Sequence, residues 1–555
     1  MKIFALLAFS FAAIAFAEDK ADLAVVHRIK AEAFQHSQVM DHLFWLTDAN
    51  GPRLTGSPGF RRAADWAMTT LKGFGSSNVH LEKWGRIGPS WLVEQVSLTL
   101  DKPVYATLHA TPLAWSGGTQ GPTNAELLLA PISTKATEND WYELARYTAR
   151  TDRYIAQWHG KLDGKLVLMS EERELELPKE PAGSRYDDAK LTELEAFEPL
   201  APKWEWPVTK LPFDDKKREA LFSSWPIEVE MDYFLKLDRE NLRLLDFLKA
   251  EGAKAALWTD SRGEGAITFA EGPSTLAPGR QPLPSLVLPP EDYNRLARLA
   301  RKQIGASASL DLKVTFDEKN SDGSNVIAEI AGGKKKDELV MLGGHLDSWH
   351  AATGATDNAA GVAVAIEAFR ILQALKLPMD RTVRLALWSG EEQGYYGSRG
   401  YVKEHFGDEV TMKLKPDHAR LSAYFNVDNG SGKLRGVYLQ GNDMARPIFE
   451  AWLAPFKDEG VATISIHNTG STDHVSFDDV GLPAFQFIQD PLDYSTRTHH
   501  STLDVYDHAL PADLMQSAAV LASVVYAAAN RPEKLPRKPL PKPLPPKKDL
   551  KGITP

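Results

Sequence analysis

Between Leu339 and Leu375 the chain carries a strand and a helix that are apolar on nearly every side. Leu339-Val340-Met341-Leu342 is an unbroken apolar run, and Ala359 to Leu375 is a helical stretch whose polar residues, Glu367, Arg370 and Gln373, occupy one narrow stripe. A strand without alternation is buried on both faces, and a helix with so narrow a polar stripe is buried nearly all round. Both conditions are met when helices cover a parallel sheet. Further apolar runs at Val383 to Trp388, Ala423 to Val427 and Ala484 to Ile488 continue the alternation. The expected fold is therefore α/β, a mixed, mostly parallel central sheet flanked by helices.

The rest of the chain is arranged around that sheet. With 555 residues it exceeds the ~250–300 at which a single core stops growing, so more than one domain is expected. Residues 22–75 read as helical, broken by the turn-rich loop Gly51-Pro52-Arg53-Leu54-Thr55-Gly56-Ser57-Pro58-Gly59, with a second helix from Arg61 to Leu71. From 96 to 300 the pattern changes to short β-like runs, such as Gly164 to Met169 and Ala253 to Trp258. Between them lie a charged, Pro-rich stretch with Trp204, Trp206 and Trp225, and a helical pattern at 232–251. Residues 96–300 are expected to be an inserted, β-rich domain that interrupts a main domain at 18–95 and 301–530. Residues 531–555, rich in Pro and Lys and without apolar periodicity, are expected to form an extended, disordered tail.

Composition narrows the function. Hydrophobic residues at 43% and charged residues at 25% are the balance of a soluble globular protein. A net charge of −10 argues against a nucleic-acid partner, which needs clustered Lys and Arg. The chain has no cysteine, which excludes disulfides, thiol nucleophiles and thiolate metal sites, so any metal must be held by His and carboxylates. At the N-terminus, Lys2 precedes the apolar run Ile3 to Phe16, then Ala15-Phe16-Ala17 and the polar Glu18-Asp19-Lys20. That layout predicts a secretory signal peptide over 1–17, cleaved after Ala17. The mature chain is expected to be periplasmic or secreted, with no integral membrane segment.

Four acidic or His-bearing segments fall just beyond predicted strands. Gly344-His345-Leu346-Asp347 follows the run ending at Leu342, Thr356-Asp357-Asn358 opens the long helix, Glu391-Glu392 follows Trp388, and Asp428 follows Val427. A fifth, His499-His500-Ser501, comes late. Ligands of open α/β sheets bind beyond the carboxyl ends of strands. Taken singly each segment is weak evidence, since an Asp at a helix start is usually an N-cap and a Glu-Glu pair is usually a solvated face. Together they offer imidazole nitrogens and carboxylate oxygens, a ligand set suited to zinc. Two ions ~3.5–4 Å apart can jointly activate a water and polarise a carbonyl, and one of two adjacent Glu residues can then take the proton while the other binds metal.

The order His-x-Asp, Asp-Asn, Glu-Glu-x-Gly, Asp, His-Ser resembles the co-catalytic zinc exopeptidase family that includes bacterial leucyl aminopeptidases and plasma glutamate carboxypeptidase. The likeness spans roughly 30–75 and 305–525 and is most specific at Gly344-His345-Leu346-Asp347-Ser348, Gly354-Ala355-Thr356-Asp357-Asn358-Ala359-Ala360-Gly361 and Glu391-Glu392-Gln393-Gly394-Tyr395-Tyr396-Gly397-Ser398. The resemblance implies two Zn2+ per chain, with His345 and Asp428 on one, Glu392 and His500 on the other, and Asp357 bridging both. It implies Glu391 as general base, Asp347 as the carboxylate that orients His345, and a cis peptide at Asp357-Asn358. His500 rather than His499 is the implied ligand because Ser501 and Asp504 follow it. The implied activity is hydrolysis of a terminal peptide bond, with a peptide as substrate and a second copy of the chain, in a homodimer, as a candidate partner.

Asp473, His474 and Phe477 resemble a segment lining the family's substrate pocket. Where some members place an oxyanion-stabilising Tyr, this chain has Asn468-Thr469-Gly470-Ser471, which leaves His499 as the candidate donor. Arg399 and Arg497 are candidates to pair with a substrate carboxylate. The inserted segment resembles protease-associated domains through Gly164-Lys165-Leu166-Val167 and Gly252-Ala253-Lys254-Ala255. Two other classes remain open: a glutaminyl cyclase-type transferase on the same fold, which uses one zinc, and a non-catalytic, receptor-like binding protein that has lost ligands.

Overall fold

The computed structural model describes residues 19–132, 143–175, 179, 181–196, 206–212 and 215–545. The signal peptide expected at 1–17, Trp204 and residues 546–555 of the tail lie outside them.

Two eight-stranded sheets form the molecule. The first runs Ser77–Arg86, Asp322–Ile330, Arg381–Trp388, Lys335–His345, Leu421–Asn426, Ala484–Gln489, Leu434–Tyr438 and Thr463–Ser465. Its central strands, from Arg381–Trp388 to Ala484–Gln489, pair in parallel, whereas Ser77–Arg86 and Asp322–Ile330 add an antiparallel flank. Val340, Met341 and Leu342 are fully buried, as a run without alternation requires. Helix Ala360–Ala374 packs on one face of this sheet in a core shared with Pro511–Asn530 and the N-terminal helices. The helices Tyr396–His405 and His474–Asp478 enclose a smaller aromatic core that includes Trp388, Tyr424 and Phe477.

The polar stripe of the buried helix has its own partners. Arg370 donates to Glu367 and to Glu32, at 2.7 Å in each case, and His42 Nε2 lies 3.3 Å from Glu367 Oε2. The stripe thus faces Leu23–Gln35 and Val39–Leu46 rather than water. Helix Pro511–Asn530 is apolar and long enough to cross a membrane, but most of it is buried inside the fold, where it serves as a core helix.

The second sheet runs Ala106–Leu108, Ser90–Lys102, Ser307–Asp317, Thr123–Leu129, Leu166–Leu168, Ala255–Thr259, Ser285–Leu288 and Thr111–Pro112. It draws on residues 90–317, wider than the expected 96–300, because Ser90–Lys102 and Ser307–Asp317 pair along their whole lengths. Helices Leu144–Trp158, Ile227–Ala250 and Pro290–Arg301 make it more helical than the β-rich insertion expected.

Residues 531–545 correct the expectation of a disordered tail. They have no secondary structure but lie against the main domain. Leu535 is buried, and its N–H donates to Ser422 Oγ at 3.2 Å. Arg537 donates to the carbonyls of His418 and Leu421, and Lys538 pairs with Asp478 at 2.7 Å. An extended Pro-rich backbone needs no internal hydrogen bonds, so its side chains and remaining N–H groups can be satisfied by the surface it crosses.

Candidate metal centre

The site forms where four central segments emerge from the first sheet. His345 is the last residue of its strand, which leaves the imidazole at the sheet's carboxyl edge. Asp357 sits in the irregular turn Ala355–Ala359 that opens the buried helix, and its peptide bond to Asn358 is cis. Asn358 fixes this turn by donating to Val427 O at 2.8 Å and accepting from Gly361 N at 3.1 Å. Glu391 and Glu392 follow Arg381–Trp388, and Asp428 follows Leu421–Asn426. His500 arrives from the distant loop after Tyr494–Thr498.

The predicted residues converge. His345 Nε2 lies 3.2 Å from Asp357 Oδ1 and 3.3 Å from Asp428 Oδ1. On the other side of Asp357, its Oδ2 lies 3.0 Å from His500 Nε2, which is also 3.0 Å from Glu392 Oε2. One aspartate thus joins two groups of side chains, His345 with Asp428 and His500 with Glu392. His499 also belongs to it: its Nε2 is 3.6 Å from Asp357 Oδ2, and its ring lies 3.7 Å from that of His500. Burial, with the neighbouring His500, pushes His499 down to about 3, so it is a neutral imidazole with an N–H to donate.

The electrostatics call for cations. Asp357, Glu391, Glu392, Asp428 and Asp347 crowd two imidazoles. Burial pushes the Glu391 carboxyl well up, and burial with the nearby Asp357 raises Glu392 to about 8. Burial opposes a charge on His345, yet Asp428 and Glu391 outweigh it and hold that imidazole well above its ordinary range. Glu391, Glu392 and His345 thus bind protons more tightly than usual, whereas the Asp357 carboxyl, despite its burial, is held well below its ordinary range by the hydrogen bonds from His345 and His500. Asp357 Oδ2 is buried without a hydrogen bond of good geometry. Donor atoms of His345, Asp357 and Asp428 lie within 4.8 Å of one another, as do those of Asp357, His499 and His500. These residues fit a pair of N/O-ligated divalent ions.

The supporting residues depart in part from expectation. His345 Nδ1 is 3.0 Å from the backbone carbonyl of Asp347 and 3.7 Å from its carboxylate, so the carbonyl is the nearer partner. The carboxylate instead accepts from Thr55 Oγ1 at 2.9 Å and from the N–H groups of Glu391 and Glu392 at 3.4 Å, tying the two glutamates to the early loop. In that loop Arg53 is fully buried and donates to the carbonyls of Leu346, Leu46, Thr353 and Gly354. Asp504 accepts from the Thr356 hydroxyl at 2.8 Å and from Asp357 N at 3.2 Å, holding the bridging turn.

Other expected pocket residues lie elsewhere. Phe477 is fully buried, its ring stacked 4.4 Å from Tyr424, so it is a core residue rather than a pocket wall. His474 is also buried and bonds to Thr469 O at 3.0 Å. Asp473 lies buried near His345 and Asp428, and burial with the charge of Asp428 raises its carboxyl to about 8 even though His345 opposes the shift. Arg399 is held by Glu228 at 2.6 Å and Glu409 at 3.1 Å, which removes it as a partner for a substrate carboxylate.

Sequence reasoning missed Glu271. It comes from the segment of the second sheet, and its Oε1 lies 2.7 Å from His500 Nδ1. Residues 268–271 pair with the His500 loop through Ala270 N to His500 O at 3.1 Å and Thr502 N to Thr268 O at 2.9 Å. Nothing in the local pattern Phe269-Ala270-Glu271-Gly272 signals this contact.

Residues 325–525 match the model of Peptidase family M28. Carboxypeptidase Q of Homo sapiens is 30% identical over 256 residues, 46% of this chain and 52% of that protein. Aminopeptidase YwaD of Bacillus subtilis (strain 168) is 28% identical over 206 residues, 36% of this chain and 43% of that protein. The chain thus spans about half the length of the curated relatives it matches. Among solved structures, a Peptidase M28 precursor from Shewanella amazonensis SB2B superposes with a TM-score of 0.62 at 23% identity, covering 93% of this chain and 98% of that one. BSAP, a zinc aminopeptidase from Bacillus subtilis, gives 0.53 at 18% identity, covering 89% and 95%. Both likenesses are of fold.

Proposed function

We propose, with residues 325–525 forming a peptidase family M28 domain, that this chain is an exported zinc-dependent exopeptidase that hydrolyses terminal peptide bonds. What supports the reading most is the convergence of His345, Asp357, Glu392, Asp428 and His500 on a single shared aspartate, with Glu391 beside them. In this reading His345 and Asp428 hold one zinc, Glu392 and His500 the other, and Asp357 both. Bound there, the two ions would supply an acidified water and polarise the scissile carbonyl.

Glu391 receives the proton. Its neighbour Glu392 is turned toward His500, at 3.0 Å, whereas Glu391 makes no ion pair among the described residues and lies close enough to His345 for each to shift the other. Burial makes it a stronger base than an exposed glutamate, and it then returns the proton to the leaving amine. His499, a neutral imidazole next to Asp357, donates its N–H to the carbonyl oxygen as negative charge builds there.

Glu391→Gln removes the base but no metal ligand. It should lower kcat by about 10²–10⁴-fold, the usual contribution of a positioned base, with zinc content unchanged. Near-normal turnover in that variant would remove Glu391 from the role. One zinc per chain, with cyclisation of an N-terminal Gln, would instead favour the transferase.

A further inference from the structure

Between the second sheet and helix Ile227–Ala250 lies a cavity of about 770 Å³. Trp115, Tyr147, Met169, Leu242 and Trp258 form its apolar walls, and Asp238 and Glu271 place carboxylates on it. A site of this size, mostly apolar with few polar groups, is the kind that receives an organic ligand rather than water alone.

Among the described residues, the charges that line it are matched with one exception. Glu171 and Glu172 pair with Arg301 and Arg298. Asp260 accepts from the N–H groups of Arg262, Gly263 and Phe269. Arg173, the one cation on the wall among the described residues, donates to the carbonyls of Asp260, Gly263 and Arg262. Glu271 is engaged by His500. Asp238 accepts from Ser274 N at 2.9 Å and has no ion pair among the described residues. A half-buried carboxylate on an apolar wall, without a counter-charge, favours a cation.

The cavity is also joined to the metal centre. Glu271 lines it and bonds His500, and three residues on Ser274 bonds Asp238, so one loop spans both sites. That loop is pressed onto the neighbouring wall: a Cβ on Gly272 would lie 2.6 Å from Ala114 Cβ, so no side chain fits there.

We propose that this cavity receives the amine-terminated apolar end of a peptide, with Asp238 as the counter-charge of its ammonium group and the aromatic walls as the bed of its side chain. The proposal rests on the exopeptidase reading and assigns it an amino-terminal preference. An ammonium group over aromatic rings and beside a carboxylate is held by both, whereas a carboxylate-terminated ligand would meet Asp238 and Glu271 as like charges.

The test is calorimetric titration of the full zinc-loaded chain with phenethylamine and, separately, with 3-phenylpropanoate. Phenethylamine should bind, 3-phenylpropanoate should not, and removing the zinc should leave phenethylamine binding in place. Asp238→Asn should weaken it roughly tenfold to a hundredfold, the worth of one hydrogen bond to a charged group. Leu242→Trp, which fills the cavity and keeps Asp238, should abolish it and serves if Asp238→Asn does not fold. In turnover, Asp238→Asn should raise KM for apolar peptides with a free amine by a factor similar to that in binding. Equal binding of the two probes, unchanged binding in Asp238→Asn, or loss of binding with the zinc would each overturn the proposal. Because binding is read without turnover, a chain that binds phenethylamine but cleaves no peptide would refute the exopeptidase reading and not the cavity.

Discussion

At the scale of single residues, the site divides by how far apart its members lie in sequence. His345, Asp357, Glu391, Glu392 and Asp428 each sit at the end of an element legible in the chain, so strand-end chemistry pointed to them. Glu271 gave no such signal, because its role exists only through a loop pairing with residues 500–502. A carboxylate on the outer nitrogen of a metal-bound imidazole fixes the ring and raises its basicity. If two zinc ions bind as proposed, Glu271→Gln should weaken the site that holds His500 by about 10–100-fold in a competition titration with a chromogenic chelator, leaving the other unchanged. Affinities unchanged from the wild type at both sites would show that Glu271 plays no part in holding His500. Asp347 teaches the converse lesson: the residue was legible, but not that its carbonyl would lie nearer His345 than its carboxylate.

At the scale of elements, helix Ala360–Ala374 was predicted almost end to end, since near-complete apolarity leaves few ways to place a helix. The fate of its polar stripe was not predictable, because Glu32 and His42 come from helices more than 300 positions earlier. Burial disfavours the charge on Glu367, yet the hydrogen bonds from His42 and Arg370 prevail and hold its carboxyl at about 2, below the ordinary 4.5. A lowered folded-state pKa stabilises above the unfolded value and loses that contribution as pH falls through the folded one. The stability gap between wild type and Glu367→Gln, measured by denaturant titration, should be full above pH 4.5 and narrow as the pH falls towards about 2. A gap independent of pH would mean that packing, not charge, makes Glu367 matter.

At the scale of the whole molecule, a loop from the segment of the second sheet reaches the metal centre, and the centre carries charge that the protein alone does not neutralise. Any ligand that binds only the folded state stabilises it, by about 4 kcal/mol at a free concentration a thousand times Kd. Exhaustive chelation should lower Tm by several degrees, with recovery on adding zinc and not magnesium, which prefers an all-oxygen octahedron. An unchanged Tm after verified metal loss would mean that the clustered carboxylates carry no excess charge in the folded state. Sequence alone determined the α/β layering, the strand ends and where imidazole and carboxylate groups fall along them, because periodicity and residue chemistry are local properties. Tertiary structure decided that Phe477 and His474 are core, that residues 531–545 are strapped down, and that Glu271 reaches His500. Each of these depends on which distant surface a segment meets, and contact across hundreds of residues leaves no mark in local pattern.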